Sequence, residues 1–576
     1  MLNPRQYLIL LFLSVATPLS AQNKAASPTE KAAADYERSM VTSVPYRINM
    51  NQFCDEQVGR WCVIWDRGED KDLPPEPEAI QKARNNAIAV FAAAFDSLPG
   101  DSTIAGPLVR YYIEANDPQN ALAVARRFAE STDTPEWGDF LLALALHAGT
   151  RDLEAEAVFA RALRRMLPTD RVRMLDVVYL LSSDEQKQYL AMPFSRRGPY
   201  YDALWQLADP LYLTEGNESL VEHLARGVYS RILAMAPRIA EDDGWTRFDH
   251  QLLMRYGRPV ARSQNFGQGM GKRLVQYSEP NQLTYVPPAL SKGALAQFEP
   301  GSPWPYDTVR RYSGYAPRSI RRMRVLEHQV ARFPMGDSTI VRIDLALPHD
   351  SAVSYPTRMD VGLFVLDSMY QVVGAIRDTV DVDAPNTSRT LTMTLPAQAY
   401  AYSVEALDLG SRLAARGRNS FPARSGNRPI VSDLVILAGS DASPPGSRRD
   451  PAFQPLSTLV VPRETPIALY LEARSLVPDA QRRVRYRVEL EVLEQDKPGT
   501  FSRVVRGLGR VLGVSGDAIA PRVTWTQDQA AAATNTIALQ LGAVQLEPGL
   551  KLFRITLIDL QTNGTVTVER LVRVPK

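Results

Sequence analysis

The sequence predicts a multidomain α+β chain, helical in its first part and built of two β-sandwich domains in its last. Three observations predict it. At 576 residues the chain exceeds what one core can serve, and its length points to about three to five domains. From Ala79 to about residue 191 apolar residues recur at helical spacing. From about residue 325 they alternate with polar residues instead, and the alternation restarts after a Pro/Gly/Arg-rich joint near 440–452. Composition fits a water-soluble globular interior, with 45% hydrophobic and 23% charged residues. Lys+Arg number 66 and Asp+Glu 64, so a net charge of +2 exerts no overall pull on nucleic acid or an anionic membrane.

The first 21 residues have the three parts of a secretory signal peptide. Arg5 is positive, Tyr7 to Ala16 is apolar, and Leu19-Ser20-Ala21 supplies small residues before Gln22. The apolar run is too short to cross a bilayer, and no later run reaches transmembrane length, so no transmembrane segment is expected after cleavage. The expected location is exported, either periplasmic or extracellular at the cell surface. Residues 22–78 follow as a polar, mobile leader and a small aromatic segment holding the chain's two cysteines, Cys54 and Cys62. In an exported chain two neighbouring cysteines most simply form one disulfide. A structural zinc site needs more ligands than these, so no metal is expected.

Residues 79–199 read as a helical domain. Ile80, Ala83, Ala87, Phe91, Ala94 and Leu98 line one face of its first helix. Further helices are expected at 119–130, 136–148, 152–167 and 171–182, joined by short connections. ALAVARRFA (121–129) and AEAVFARAL (155–163) align at an offset of 34 residues, pairing Ala121 with Ala155, Val124 with Val158 and Arg127 with Arg161. A 34-residue helical pair resembles the tetratricopeptide repeat, so the domain is TPR-like. Such a layer either offers a peptide-binding groove or packs against its own neighbours.

Residues 200–325 form the middle domain. Leu220, Leu224, Val228 and Ile232 make a helical stripe that Pro237 stops. GWTRFDHQLLMRYGRP (244–259) then packs Trp245, Asp249, His250 and Tyr256 into one short stretch, with QLLMRY (251–256) read as a strand. Gly244, Trp245, Tyr256, Gly257 and Pro259 match in register the motif of the GWxTD domain of exported bacterial proteins. Trp205, Asp209-Pro210 and Asn217-Glu218 upstream are similar too. The motif's Thr-Asp pair falls on Arg247 and Phe248, and the first of its closing prolines on Arg258, so its acidic position is lost here. Asp249, one place later on a strand, would face the other way. The resemblance implies an architecture and no established activity.

After Gln264 the chain is rich in turns and aromatic-Pro pairs, an irregular wrapping segment. Strands are then expected at 338–347, 361–374, 391–395 and 401–409 in a first β-sandwich (326–440). A second (453–576) takes strands at 465–473, 483–494, 537–541, 550–560 and 566–574. Both are expected to be Ig-like by strand density. YSVEALDL (402–409) and FRITLIDL (553–560) share a spacing, which hints at duplicated modules.

Candidate chemistry is sparse. NFGQGMGKR (265–273) and RGLGRVLG (506–513) have the wrong glycine spacing for phosphate loops, so no cofactor is expected. The histidines are His147, His223, His250, His328 and His349, and no pair has helical zinc spacing. No nucleophile elbow is present. Two arginine-rich stretches, 310–324 and 411–428, read as solvated cover over domain joints rather than as nucleic-acid contacts, the second as a sandwich loop. Asp243, Asp249 and His250 alone could flank a polar, base-bearing site. The reading that follows is a non-catalytic exported scaffold or binding protein of the cell envelope with protein partners. An envelope hydrolase using the Asp243–His250 loop, or a structural subunit joined through sandwich edges, are its rivals.

Overall fold

The computed structural model describes residues 26–45, 54–66, 74–180, 183–264, 273–278, 317–347, 356–367, 370–384, 387–398, 400–421, 429–439, 444–463, 465–494, 522–543 and 546–575. The signal-like segment, both glycine-rich loops, His349 and most of the wrapping segment lie outside the described residues. The described chain is mixed α+β, with helices in its N-terminal part and several largely antiparallel sheets in its C-terminal part.

The expected mobile leader contains a helix, α1 (Pro28–Thr42). Ser27 accepts a hydrogen bond from the Glu30 backbone N–H while Glu30 returns one to the Ser27 N–H, a reciprocal cap that starts the helix. Its Tyr36 is 1% exposed. α2 (Glu78–Ser97), α3 (Ser102–Glu114), α4 (Pro118–Ser131), α5 (Pro135–Ala148) and α6 (Asp152–Arg165) pack in succession. Asp101 and Asp117 cap α3 and α4, and proline leads α4 and α5, where its missing N–H costs nothing. On α2 the buried face is rotated from the expected one: Arg84 and Phe95 are buried, and Leu98 is 56% exposed. The expected helix at 171–182 is broken into α7 (Pro168–Met174) and a 3-10 turn at Val178–Leu180. Ala121 and Ala155 are both fully buried, but Leu142 is only half-buried while Leu108, its partner at the same offset, has no exposure.

After α8 (Ser183–Ala191) and α9 (Phe194–Ala208), α10 (Glu218–Ala234) lies against α3, α5 and α6. Its Val221, Leu224, Val228 and Ile232 join the helical core, so the chain covers that face of the layer itself. α11 (Arg247–Tyr256) rests on a four-stranded sheet of β1 (Glu56–Val58), β2 (Trp61–Asp66), β3 (Ala261–Gln264) and β4 (Arg273–Ser278), in the order β1-β2-β4-β3. Here β2 runs parallel to β4. The cysteine segment is therefore part of the middle domain, and Cys54 and Cys62 are joined in a disulfide.

Eight strands follow in two sheets. They are β5 (Arg322–Val325), β6 (His328–Met335), β7 (Ser338–Ala346), β8 (Thr357–Leu366), β9 (Val372–Val382), β10 (Ser388–Pro396), β11 (Tyr400–Asp408) and β12 (Leu413–Phe421). One sheet is β10-β7-β6 and the other β5-β12-β11-β8-β9, and they share one apolar core. The expected single strand at 361–374 is split by a turn where Tyr370 takes φ +59°. The described part of the arginine-rich stretch read as a loop, 411–421, is mostly β12, because Leu413, Ala414 and Ala415 supply a buried start.

The last unit holds β13 (Ile430–Val431), β14 (Val435–Ala438), β15 (Pro466–Arg474), β16 (Arg483–Glu494), β17 (Arg522–Ala530), β18 (Asn535–Ala543), β19 (Gly549–Asp559) and β20 (Thr565–Val574). β13, β14 and β18 pair with β15, while β17-β16-β19-β20 form the facing sheet. Residues 430–438 thus pair with the last unit, beyond the joint expected near 440–452. β11 and β19, which carry the two similar octapeptides, both sit inside their sheets.

Candidate functional site

The 251–256 stretch is the end of helix α11, not a strand. Thr246 caps it, accepting from the Asp249 N–H while Asp249 accepts from the Thr246 N–H. Phe248, Leu252 and Tyr256 then fall at every fourth position and pack on the sheet with Trp61, Val63, Val275 and Tyr277. The expectation failed because LLM is an apolar run without alternation, and the capping pair outranked it. Gly257 ends the helix at φ +77°, and a Cβ there would lie 2.8 Å from Arg226 Nη2. Arg226 in turn donates to the Met254 carbonyl at 3.0 Å.

Asp249 consequently faces inward. It is 7% exposed and accepts from Trp61 Nε1 at 2.6 Å, from Arg60 at 3.3 Å and from the Thr246 N–H and hydroxyl. Arg60 also binds Asp242 and lies 5.0 Å over the Trp61 ring. Trp245 is half-buried against the helical core, Tyr256 is 1% exposed and donates to Glu56, and Gly244 takes φ +75°.

The three residues read as a possible polar site do not converge. The Asp243 side chain is 86% exposed and only approaches Arg60, at 3.7 Å. His250 follows Asp249 on the helix but turns to α10, where its Nδ1 meets Ser230 Oγ and its ring stands edge-on to Tyr179 at 4.5 Å. Burial alone pushes its pKa down, so it is neutral at physiological pH. Ser230 was not singled out in the sequence. A serine beside a histidine invites a nucleophile reading, but this serine is 3% exposed. No carboxylate pairs with His250 among the described residues, so the orienting group such a nucleophile needs is missing.

Asp249 instead borders a cavity of about 430 Å3. Its wall comes from α1, α2 and α3, the β1–β2 hairpin, α10, the 236–245 loop, α11 and the β3–β4 edge. Pro259 belongs to this wall. Its lining includes the aromatic residues Tyr36, Trp61, Tyr229, Trp245 and Tyr277. Charged groups are interleaved with them. Arg110, with 4% of its side chain exposed, donates to Glu37 at 2.6 Å and Glu114 at 2.8 Å. Glu114 also accepts from the hydroxyls of Tyr36, at 2.5 Å, and Tyr229. Burial pushes the Glu114 carboxyl up, but Arg110 and Arg258 outweigh it and hold it at about 2. This cluster had no signal in the sequence, since its members come from four elements.

A second buried network lies behind α10. His147 contacts Asp152 at 2.6 Å and Glu222 at 3.0 Å, and Glu222 accepts from Arg226 at 2.5 Å. Burial works against the imidazolium, but these two carboxylates raise its pKa. His223 Nε2 donates to the Met174 carbonyl at 3.2 Å, and burial drives its pKa down to about 3. Neither network forms a metal-type cluster among the described residues.

Arg416 and Arg418 of the 411–428 stretch do cover a joint, but from inside it. Arg418, with 11% of its side chain exposed, donates to the carbonyls of Leu207 and Asp209, and Arg416 to that of Pro210. Arg377 holds the Tyr212 and Leu213 carbonyls. Asn217 caps α10 and ties back to the Trp205 carbonyl at 2.6 Å. The upstream residues that suggested a family therefore shape this joint.

No family model matches the chain, and no curated protein matches it. Among solved structures, red sea bream transglutaminase is similar over 57% of this chain and 43% of its own, at 11% identity and a TM-score of 0.14. A β-glucuronidase from Bacteroides uniformis is similar over 41% of this chain and 26% of its own, at 10% identity and a TM-score of 0.16. The chain spans less than half of either, and likenesses at those TM-scores carry no argument. No described helix is long and apolar enough to cross a membrane.

Proposed function

We propose that this chain is a non-catalytic scaffold or binding protein exported to the bacterial cell envelope, with a TPR-like helical layer, a GWxTD-like middle domain and two Ig-like β-sandwiches. It recognises a partner protein, and the cavity between α1–α3, α10–α11 and the small sheet is its recognition site. One observation carries the reading. Asp249, the acid best placed to serve chemistry, is fully engaged by Trp61, Arg60 and Thr246, so it builds the cavity wall instead of moving protons. The first sheet unit clasps the 207–213 segment, which leads into α10, one of the helices that line the cavity.

The test is site-specific photo-crosslinking in the exporting cell. A crosslinker at Val260, which borders the cavity and is 47% exposed, captures one discrete partner, while one at Leu571 on the far sheet does not. Capture that is equal at both positions, or a hydrolytic turnover abolished by both Asp243→Asn and His250→Gln, overturns the reading.

A further inference from the structure

We propose that the cavity binds the free C-terminal carboxylate of a polypeptide, with the last side chain packed against Trp245. The proposal rests on the cavity being the recognition site and adds the chemistry of the ligand.

The wall holds hydrogen-bond donors without acceptors. Five carboxylates line the cavity, Glu37, Glu76, Glu114, Asp242 and Asp249. Each is already paired: the first and third with Arg110, the second with Arg84 at 2.6 Å, the last two with Arg60. Two more arginines line the same wall, Arg258 and Arg262, and neither has a carboxylate within ion-pair distance among the described residues. Arg258 donates to the Ile113 carbonyl at 3.3 Å and lies 5.8 Å over Tyr229, and its charge also acts on Glu114. Arg262 lies 6.0 Å from the Trp61 ring. In addition, the Nε–H groups of Arg60 and Arg84 are buried with no acceptor, and the Arg84 side chain is 9% exposed. No carboxylate or hydroxyl oxygen of the wall is buried without a donor. A buried N–H without an acceptor is costly, so the complementary occupant brings acceptors.

Charge and shape narrow the class. The five arginines and five carboxylates of the wall balance in formal charge, and Arg262 is the lining arginine with neither a carboxylate nor a carbonyl acceptor among the described residues, which suits one carboxylate better than a phosphate dianion. A guanidinium fork meets a carboxylate in two parallel hydrogen bonds. The orphan N–H groups of Arg60 and Arg84 belong to different elements, and successive peptide carbonyls supply further acceptors beside the terminal carboxylate. Trp245, half-buried among the lining residues, offers apolar surface for one side chain. The volume is within the range of small-ligand sites and equals about fourteen waters of liquid, enough for a few terminal residues.

The full chain is titrated by calorimetry with a tripeptide ending in free Phe, its C-terminal amide, phenylacetate and inorganic phosphate. The free-acid peptide binds, the amide binds at least tenfold more weakly, and phenylacetate and phosphate bind more weakly than the peptide. Arg262→Gln weakens the peptide at least tenfold with an unchanged melting temperature, while Arg262→Lys weakens it less. Equal binding of acid and amide, no binding of the acid at millimolar concentration, or an unaffected Arg262→Gln overturns the proposal. Phenylacetate or phosphate binding as tightly as the peptide overturns the polypeptide source. A Val260 crosslink that persists when the peptide fails sinks this inference and leaves the partner reading standing. Peptide binding without any crosslinked partner does the reverse.

Discussion

The helical half and the last sheet unit are folded by different interiors. Between β15–β18 and β16–β20 the shared core is apolar, with Leu469, Val488, Leu541, Phe553 and Ile555 at most 1% exposed. Around α3 and α10 the interior instead holds Arg110, Glu222, His223 and Arg226, each 8% exposed or less. Burying a charge opposes folding unless a partner and hydrogen bonds offset it. Both regions have apolar cores, but the helical half adds buried ion pairs to its own, and the Arg110 pairs with Glu37 and Glu114 line the cavity.

The sharpest way to break this comparison is to remove one group from each interior. Phe553→Ala deletes a side chain with no exposure and costs about 3–5 kcal/mol. Arg110→Ala strands Glu37 and Glu114 and costs about as much, 3–5 kcal/mol. The two losses respond differently to pH. Because the Glu114 carboxyl is held at about 2, its contribution is present above the ordinary carboxylate range and lost as pH falls through that value. Urea unfolding at pH 7 and pH 3 is expected to show the Arg110→Ala deficit shrinking in acid and the Phe553→Ala deficit staying constant. A constant deficit in both would mean that the two interiors are not distinct in kind.

Smaller effects test the cavity wall. Asp249→Ala removes the acceptor for Trp61, Arg60 and the α11 cap together, and is expected to cost about 2–3 kcal/mol. Its neighbour His250→Ala gives up one hydrogen bond and an edge-on ring contact, about 1 kcal/mol. Thermal melts of the two variants rank them. A His250 effect exceeding that of Asp249 would move the structural centre from the cavity to the Ser230 side.

What was legible in the sequence follows the same division. Strand β16 has the bounds that alternation predicts, Arg483–Glu494, because one face meets the core and the other water. Helices α4 and α5 begin where their prolines stand. The cavity was not legible, because Tyr36, Arg60, Arg110 and Asp249 meet only after the β1–β2 hairpin pairs with β4, a contact spanning more than 200 residues. Asp249 was misplaced for a local reason: a capping acid looks like any acid until the helix it starts is known. The arginines at 416 and 418 looked solvated because their partners are backbone carbonyls, which carry no sequence signal.

The joint at 209–218 offers a test with the opposite pH sign from Glu114. Burial pushes the Glu218 carboxyl up to about 7. Between its ordinary value and 7 the folded chain binds the proton more tightly than the unfolded chain, so stability falls as pH rises through that window. Glu218→Gln keeps an acceptor for Thr214 and removes the charge. The variant is expected to match the wild type at pH 4 and to exceed it by about 2 kcal/mol at pH 8, read from unfolding at both values. A variant less stable than wild type at pH 8 would show that the carboxylate is compensated in place.

The smallest effect separates the two parts of the acidic loop that first suggested chemistry. Asp242 is paired with Arg60 and has 16% of its side chain exposed, while Asp243 is 86% exposed and within 3.7 Å of the same arginine. A solvated pair at that distance contributes little, so Asp243→Asn is expected to change stability by less than about 0.5 kcal/mol. Asp242→Asn is expected to cost more, because Arg60 then holds Asp249 and Trp61 with one anchor fewer. Equal, large losses in the two melts would mean that Asp243 is drawn into the wall in solution, and the contrast between an engaged wall and an idle rim would fall with it.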